Sequence, residues 1–77
     1  MERIGTLTNE IEKIIRNIFE GNEIIDISEN DFWIDEFDVK TKEMPEKYRV
    51  MIWQDSEKYY LEKRYNGCLV NEYEINK

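Results

Sequence analysis

Leu7, Ile11, Ile14, Ile15, Ile18 and Phe19 recur every three or four residues near the start of the chain. That spacing lays six large apolar side chains on one stripe of an α-helix. Thr6 or Thr8 can cap its start, Glu10 and Glu12 fall at the positive end of its dipole, and Gly21 suits the left-handed residue that ends it. The pattern predicts a helix over 6–20. Beyond Gly21 the apolar period drops from near 3.6 to two, the period of strands. Strands are predicted over 23–28, 31–40, 47–54, 57–65 and 68–75. They are punctuated by Glu29-Asn30, Met44-Pro45, Asp55-Ser56 and Asn66-Gly67. Asn-Gly is the strongest of these signals, because both residues tolerate positive φ. The fold class read from this is α+β. One domain over 1–77 is expected, with an N-terminal helix packed in two layers on a four- to five-stranded antiparallel meander.

Two-residue turns at Asp55-Ser56 and Asn66-Gly67 would fix the register. Ile52 would then face Tyr59, Val50 would face Leu61, Tyr65 would face Cys68, Lys63 would face Val70 and Tyr60 would face Tyr73. Both turns assign the same faces. Tyr48, Val50, Ile52, Tyr59, Leu61, Tyr65, Cys68 and Val70 fall on the face expected to receive the helix. Arg49, Met51, Trp53, Lys58, Tyr60, Arg64, Leu69 and Tyr73 fall on the other. Phe32 and Ile34 share one face and Phe37 and Val39 the opposite one. A bulge at Asp35-Glu36 would return both pairs to the core and leave Trp33 outside.

Charge changes this picture in one region. The chain has 11 Lys and Arg against 18 Asp and Glu, for a net charge of −7. Between Asn17 and Val39 lie Glu20, Glu23, Asp26, Glu29, Asp31, Asp35, Glu36 and Asp38 with no base among them. The remainder of the chain is nearly balanced. Such a stretch can be a solvated sheet edge that discourages pairing with other chains. It can also be an anionic recognition surface. Acids two apart on a strand lie about 6–7 Å apart on one side, from a rise of roughly 3.3 Å per residue. A row of them can stand in for nucleic-acid phosphates in a groove lined by Lys and Arg. The residues expected to contact a partner are Glu23, Asp26, Glu29, Asp31, Trp33, Asp35, Glu36 and Asp38. Trp33 would be the anchor for an Arg-bearing partner.

A second surface is expected on the outer sheet face, where Met51, Trp53, Tyr60 and Tyr73 would cluster among Arg49, Lys58 and Arg64. It reads as cross-strand pairing, self-association into a homodimer, or a stacking platform for single-stranded nucleic acid. The negative net charge disfavours nucleic acid as a partner.

Other chemistry is restricted by composition. The chain has no His, one Cys and one Pro. Histidine-dependent catalysis, His-bearing zinc sites and internal disulfides are therefore excluded. Cys68 is expected to point inward as a small apolar residue. Asp26, Ser28 and Asn30 match positions 1, 3 and 5 of an EF-hand loop, but Asp31 stands where glycine is needed and Phe37 where a bidentate Glu is needed. No metal, cofactor or catalytic residue is expected. No apolar run approaches the roughly 18 residues of a membrane span, and residues 1–8 lack a secretory signal. A cytoplasmic location without membrane attachment is the expectation.

The reading is a small acidic protein that binds a basic surface on a nucleic-acid enzyme. It would resemble in kind the DNA-mimicking inhibitors of phages, such as anti-CRISPR proteins, without being an enzyme. The alternatives are a nucleic-acid-binding or dimerising module that uses the aromatic face, and an immunity protein for a basic nuclease toxin.

Overall fold

A computed structural model describes residues 1–77. The elements are β1 (Glu2–Ile4), α1 (Asn9–Ile18), β2 (Ile24–Glu29), β3 (Glu36–Thr41), β4 (Tyr48–Gln54), β5 (Lys58–Tyr65) and β6 (Cys68–Asn76). All strand pairs are antiparallel, β2 to β6 lie in sequence order, and β1 pairs with β4. The predicted helix on an antiparallel meander is present, with a sixth strand before the helix. That strand explains the late helix start. Residues 5–8 must carry the chain from the sheet to the layer above it, so Thr8, and not Thr6, is the N-cap. Its side chain accepts the Ile11 N–H at 3.2 Å. Leu7 is drawn off the helix, and its N–H donates to the Glu29 carboxylate at 2.8 Å.

β1 and β3 share one edge of β4, end to end. Ile4 pairs with Ile52 and Glu36 with the adjacent Met51. The junction is tight. A Cβ on Gly5 would lie 1.9 Å from the Asp35 Oδ1 and 3.1 Å from its Cα, and Asp35 itself holds φ at +65°. Glycine is the residue that permits this approach.

The core forms where the helix stripe meets the inner sheet face. Ile11, Ile15, Ile18 and Phe19 pack with Phe37, Val39, Tyr48, Val50, Ile52, Tyr59 and Leu61. Phe19 meets Tyr48 edge-on at 5.1 Å, and the Tyr59 hydroxyl donates to Glu10 at 3.0 Å, tying β5 to the helix. Lys63 is buried on the same face. Its ammonium lies 4.2 Å from the Phe19 ring centre and 4.9 Å from that of Tyr48, and burial lowers its pKa. No helix is long and apolar enough to cross a membrane.

Two turns differ from expectation. The β4–β5 turn is Ser56-Glu57, one residue later than predicted, so Ile52 faces Leu61 and Val50 faces Lys63. The Asp55 carboxylate fixes it by accepting the Glu57 and Lys58 N–H groups, each at 2.8 Å, which is an Asx turn. The register moves by two, so the predicted faces of β4 and β5 survive. The Asn66-Gly67 turn forms as predicted, with φ of +50° and +79°, and Tyr65 faces Cys68. Just beyond it, β6 bulges between its pairs to Arg64 and Lys63, so Lys63 faces Asn71 and not Val70, and Tyr60 faces Glu74 and not Tyr73. One extra residue reverses the faces that follow. Tyr73 turns inward, opposite Leu61, packs against the core and donates to the Ile18 carbonyl at 3.5 Å. Its placement on the outer face was wrong. Val70, at the bulge, is exposed, and so is Cys68 beside the turn; neither joins the core.

Candidate protein-interaction surface

The β2–β3 hairpin is not the short turn at Glu29-Asn30 with a long following strand. Glu29 pairs with Phe37, the Asn30 N–H donates to the Glu36 carbonyl at 2.9 Å, and residues 31–35 form a tip outside the sheet. Asn30 builds that tip. Its side-chain oxygen accepts the N–H of Phe32 at 2.8 Å and of Trp33 at 2.5 Å, while its side-chain nitrogen donates to both oxygens of Asp38 at 3.0–3.1 Å. This is the same Asx geometry that shapes the β4–β5 turn.

The tip displays its apolar side chains. Phe32 is 80% exposed, Ile34 86% and Trp33 50%. The expectation that a bulge would return Phe32 and Ile34 to the core is overturned. Residues 31–35 lie outside the ladder, so strand alternation does not govern them, and Phe37 and Val39 alone fill the core positions of β3. Phe32 and Trp33 pack edge to face at 4.9 Å, forming one aromatic knob. Trp33 also borders a groove of about 770 Å³ on the outer sheet face, together with Asp38, Lys47, Arg49, Met51 and Arg64.

The eight residues expected to contact a partner do not form one row. Glu36 and Asp38 lie on the outer face within an ion-pair cluster. Arg49 reaches Glu36 at 3.2 Å and Asp38 at 4.0 Å, and Arg3 reaches Glu36 at 3.9 Å. These two carboxylates are engaged by arginines of the chain itself. Glu29 is engaged with the Leu7 N–H. Asp35 is lodged at the Gly5 junction. Asp26 is exposed opposite Lys40 in the register, and Glu23, Asp31 and Trp33 are exposed. Of the predicted set, Asp31 and Trp33 therefore lie on the tip itself, and Asp35 closes it.

The outer face retains Met51, Trp53 and Tyr60 from the second predicted surface. Trp53 faces Tyr60 across the strands. The Arg3 guanidinium lies 4.8 Å from the Trp53 ring centre, over the face on which a base would stack. The Tyr60 hydroxyl donates to Asp55 at 2.8 Å. That bond raises the Tyr60 pKa, and with the Glu57 and Lys58 N–H groups it lowers that of Asp55. No family model matches the chain, and neither a curated protein nor a solved structure matches it significantly. The functional reading rests on the surface alone. No group of three or more Asp, Glu or Cys side chains is placed to hold a metal ion.

Phe32 and Ile34 were missed as surface residues because their alternation imitates a strand. The available signal was Asn30, whose side chain can accept N–H groups two and three residues on and so open a loop where a strand was expected.

Proposed function

We propose that this chain is a small protein-binding module that docks the Phe32–Trp33–Ile34 tip into an apolar cleft rimmed by Lys and Arg. The observation that carries the reading is the exposure of three consecutive large apolar residues on a loop braced by Asn30. Nothing in the core needs them, and exposing them costs solubility unless a partner covers them. A preformed loop loses less entropy on binding than a disordered one. Asp31 on the tip, with the net charge of −7 behind it, favours a basic rim and speeds encounter with one. The nucleic-acid site of an enzyme is a surface of this kind. An inhibitor of such an enzyme, for example a CRISPR effector or another defence nuclease, is the most specific form of the proposal, with an immunity protein for a basic nuclease as its neighbour. That finer form rests on net charge and size.

The test is capture of partners from host extract with the wild-type chain and with F32S/W33S/I34S, followed by titration of the purified partner. The variant should fold normally and bind at least about thirtyfold more weakly, as loss of an aromatic anchor predicts. Equal affinity of the two proteins for the partner would overturn the tip as the docking element.

A further inference from the structure

The sheet face opposite the helix has no second layer, and its charges are arranged in rows. The observed registers place Asp38, Arg49, Arg64 and Leu69 side by side across β3 to β6. The next row is Glu36, Met51, Glu62 and Glu72, and the one after is Arg3, Trp53, Tyr60 and Glu74. Arg49 thus stands opposite Arg64, and Glu62 opposite Glu72. Like charges directly opposite on neighbouring strands destabilise a sheet. Some of this is relieved within the chain, by Arg64 to Glu62 at 3.0 Å and by Arg49 to Glu36. The exposed Glu72, Glu74 and Lys47 form no ion pair in the chain. A basic end of the face, with Lys47, Arg49 and Arg64 around Asp38, therefore adjoins an acidic corner on β5 and β6, with Glu62, Glu72 and Glu74; Arg3 and Lys58 flank that corner, and Met51, Trp53 and Tyr60 lie between or beside the two.

We infer that this face binds the same face of a second copy of the chain. A twofold axis in the plane of the sheet, between the two ends, lays Lys47 and Arg64 of each copy against the Glu72–Glu74 side of the other. Both ends are then satisfied at once, as a twofold interface requires of a self-complementary patch. Met51, Trp53 and Tyr60 supply the apolar centre and the charges supply the rim. The molecule measures 36 × 28 × 24 Å, so its broad face can provide the roughly 800 Å² per partner of a stable interface. The inference rests on residues other than Phe32 and Ile34, although Trp33 of the tip borders the basic end of the face.

Charge exchange tests it by sedimentation equilibrium. Wild type should dimerise. K47E/R64E makes both ends acidic, and E72K/E74K makes both ends basic. Each variant alone should dimerise at least about tenfold more weakly, from the loss of several rim pairs per dimer. An equimolar mixture should recover wild-type affinity as a heterodimer. The second variant is decisive, because it brings the chain four charges closer to neutral from −7. If net repulsion alone governed association, it would associate more strongly. A wild-type chain that stays monomeric at about 0.1 mM or more (a roughly hundredfold margin over a dissociation constant of about 1 μM), a dimer that both variants retain, or a mixture that gains nothing over its components would each overturn the inference.

Discussion

The β5–β6 hairpin turns in two residues, Asn66 and Gly67, both at positive φ, whereas the β2–β3 hairpin carries a five-residue tip with three exposed apolar side chains. The first turn contains what the backbone requires and nothing more. The second contains what the backbone does not require. A two-residue link would join β2 to β3 with a smaller loss of loop entropy and without exposing Phe32 and Ile34. The difference separates residues that serve the fold from residues that serve a partner. The separation occurs within a few positions, since Phe32 is 80% exposed and Phe37 is wholly buried.

The largest effect should come from those two phenylalanines. Phe37→Ala removes a fully buried ring and should cost about 3–5 kcal/mol. Phe32→Ala should change stability by less than about 0.5 kcal/mol, as exposed substitutions usually do. Urea denaturation of both variants decides the matter. If Phe32→Ala proves as destabilising as Phe37→Ala, the tip belongs to the core and the functional contrast collapses.

A smaller effect is expected at the tight turn. Gly67 has φ +79° and open space where a Cβ would stand, so a substitution there is resisted by backbone conformation and not by crowding. Gly67→Val should cost about 1–3 kcal/mol and leave partner binding at the tip unchanged in the folded fraction. Gly67→Asn should recover most of that loss, because Asn tolerates the left-handed region. Thermal melts of the pair separate conformational strain from steric conflict. Equal melting temperatures for the Val and Asn variants would contradict the assignment.

The same contrast explains what the sequence disclosed. The inner faces of β4 and β5 were legible because a two-residue register error leaves side-chain direction unchanged, so Val50, Ile52, Tyr59 and Leu61 were placed correctly although their partners were not. The bulge in β6 could not be located from the turn, and a single added residue inverted Tyr73. A local signal was present in Glu72-Tyr73-Glu74-Ile75, whose own alternation puts Tyr73 and Ile75 inside. β1 is three residues long, too short for any period to show. The acidic window between Asn17 and Val39 was real as composition but is not one uniform surface, since Glu36 and Asp38 within it are paired with arginines. Arg3 and Arg49, which neutralise Glu36 and Asp38, come from elements distant in sequence. Charge runs report local balance, and pairing across a sheet is not local.

The last and smallest effect sharpens the comparison through pH. Asn30 and Asp55 shape their loops in the same way, each accepting the N–H groups two and three residues ahead. Asp55 also accepts the Tyr60 hydroxyl. An amide oxygen does not ionise in the accessible range, whereas a carboxylate does. The Glu57 N–H, the Tyr60 hydroxyl and the Lys58 N–H all favour the charged form of Asp55, and its pKa lies below the ordinary 3.8. A carboxyl whose folded pKa is depressed holds fewer protons folded than unfolded below that value. Its stabilisation is therefore complete above pH 3.8 and is lost as the pH falls through the folded pKa. Asp55 is only half-buried, so the change should be modest. It should appear as increased amide exchange at Glu57 and Lys58. Asp55→Asn should abolish the acid response at the β4–β5 turn while leaving the tip as in wild type. Because Asn30 also donates to the Asp38 carboxylate, any acid loosening of the Phe32 and Trp33 amides should disappear in Asp38→Asn; if it persists there, Asn30 is not what holds the tip, and the two loops do not share the mechanism their hydrogen bonds imply.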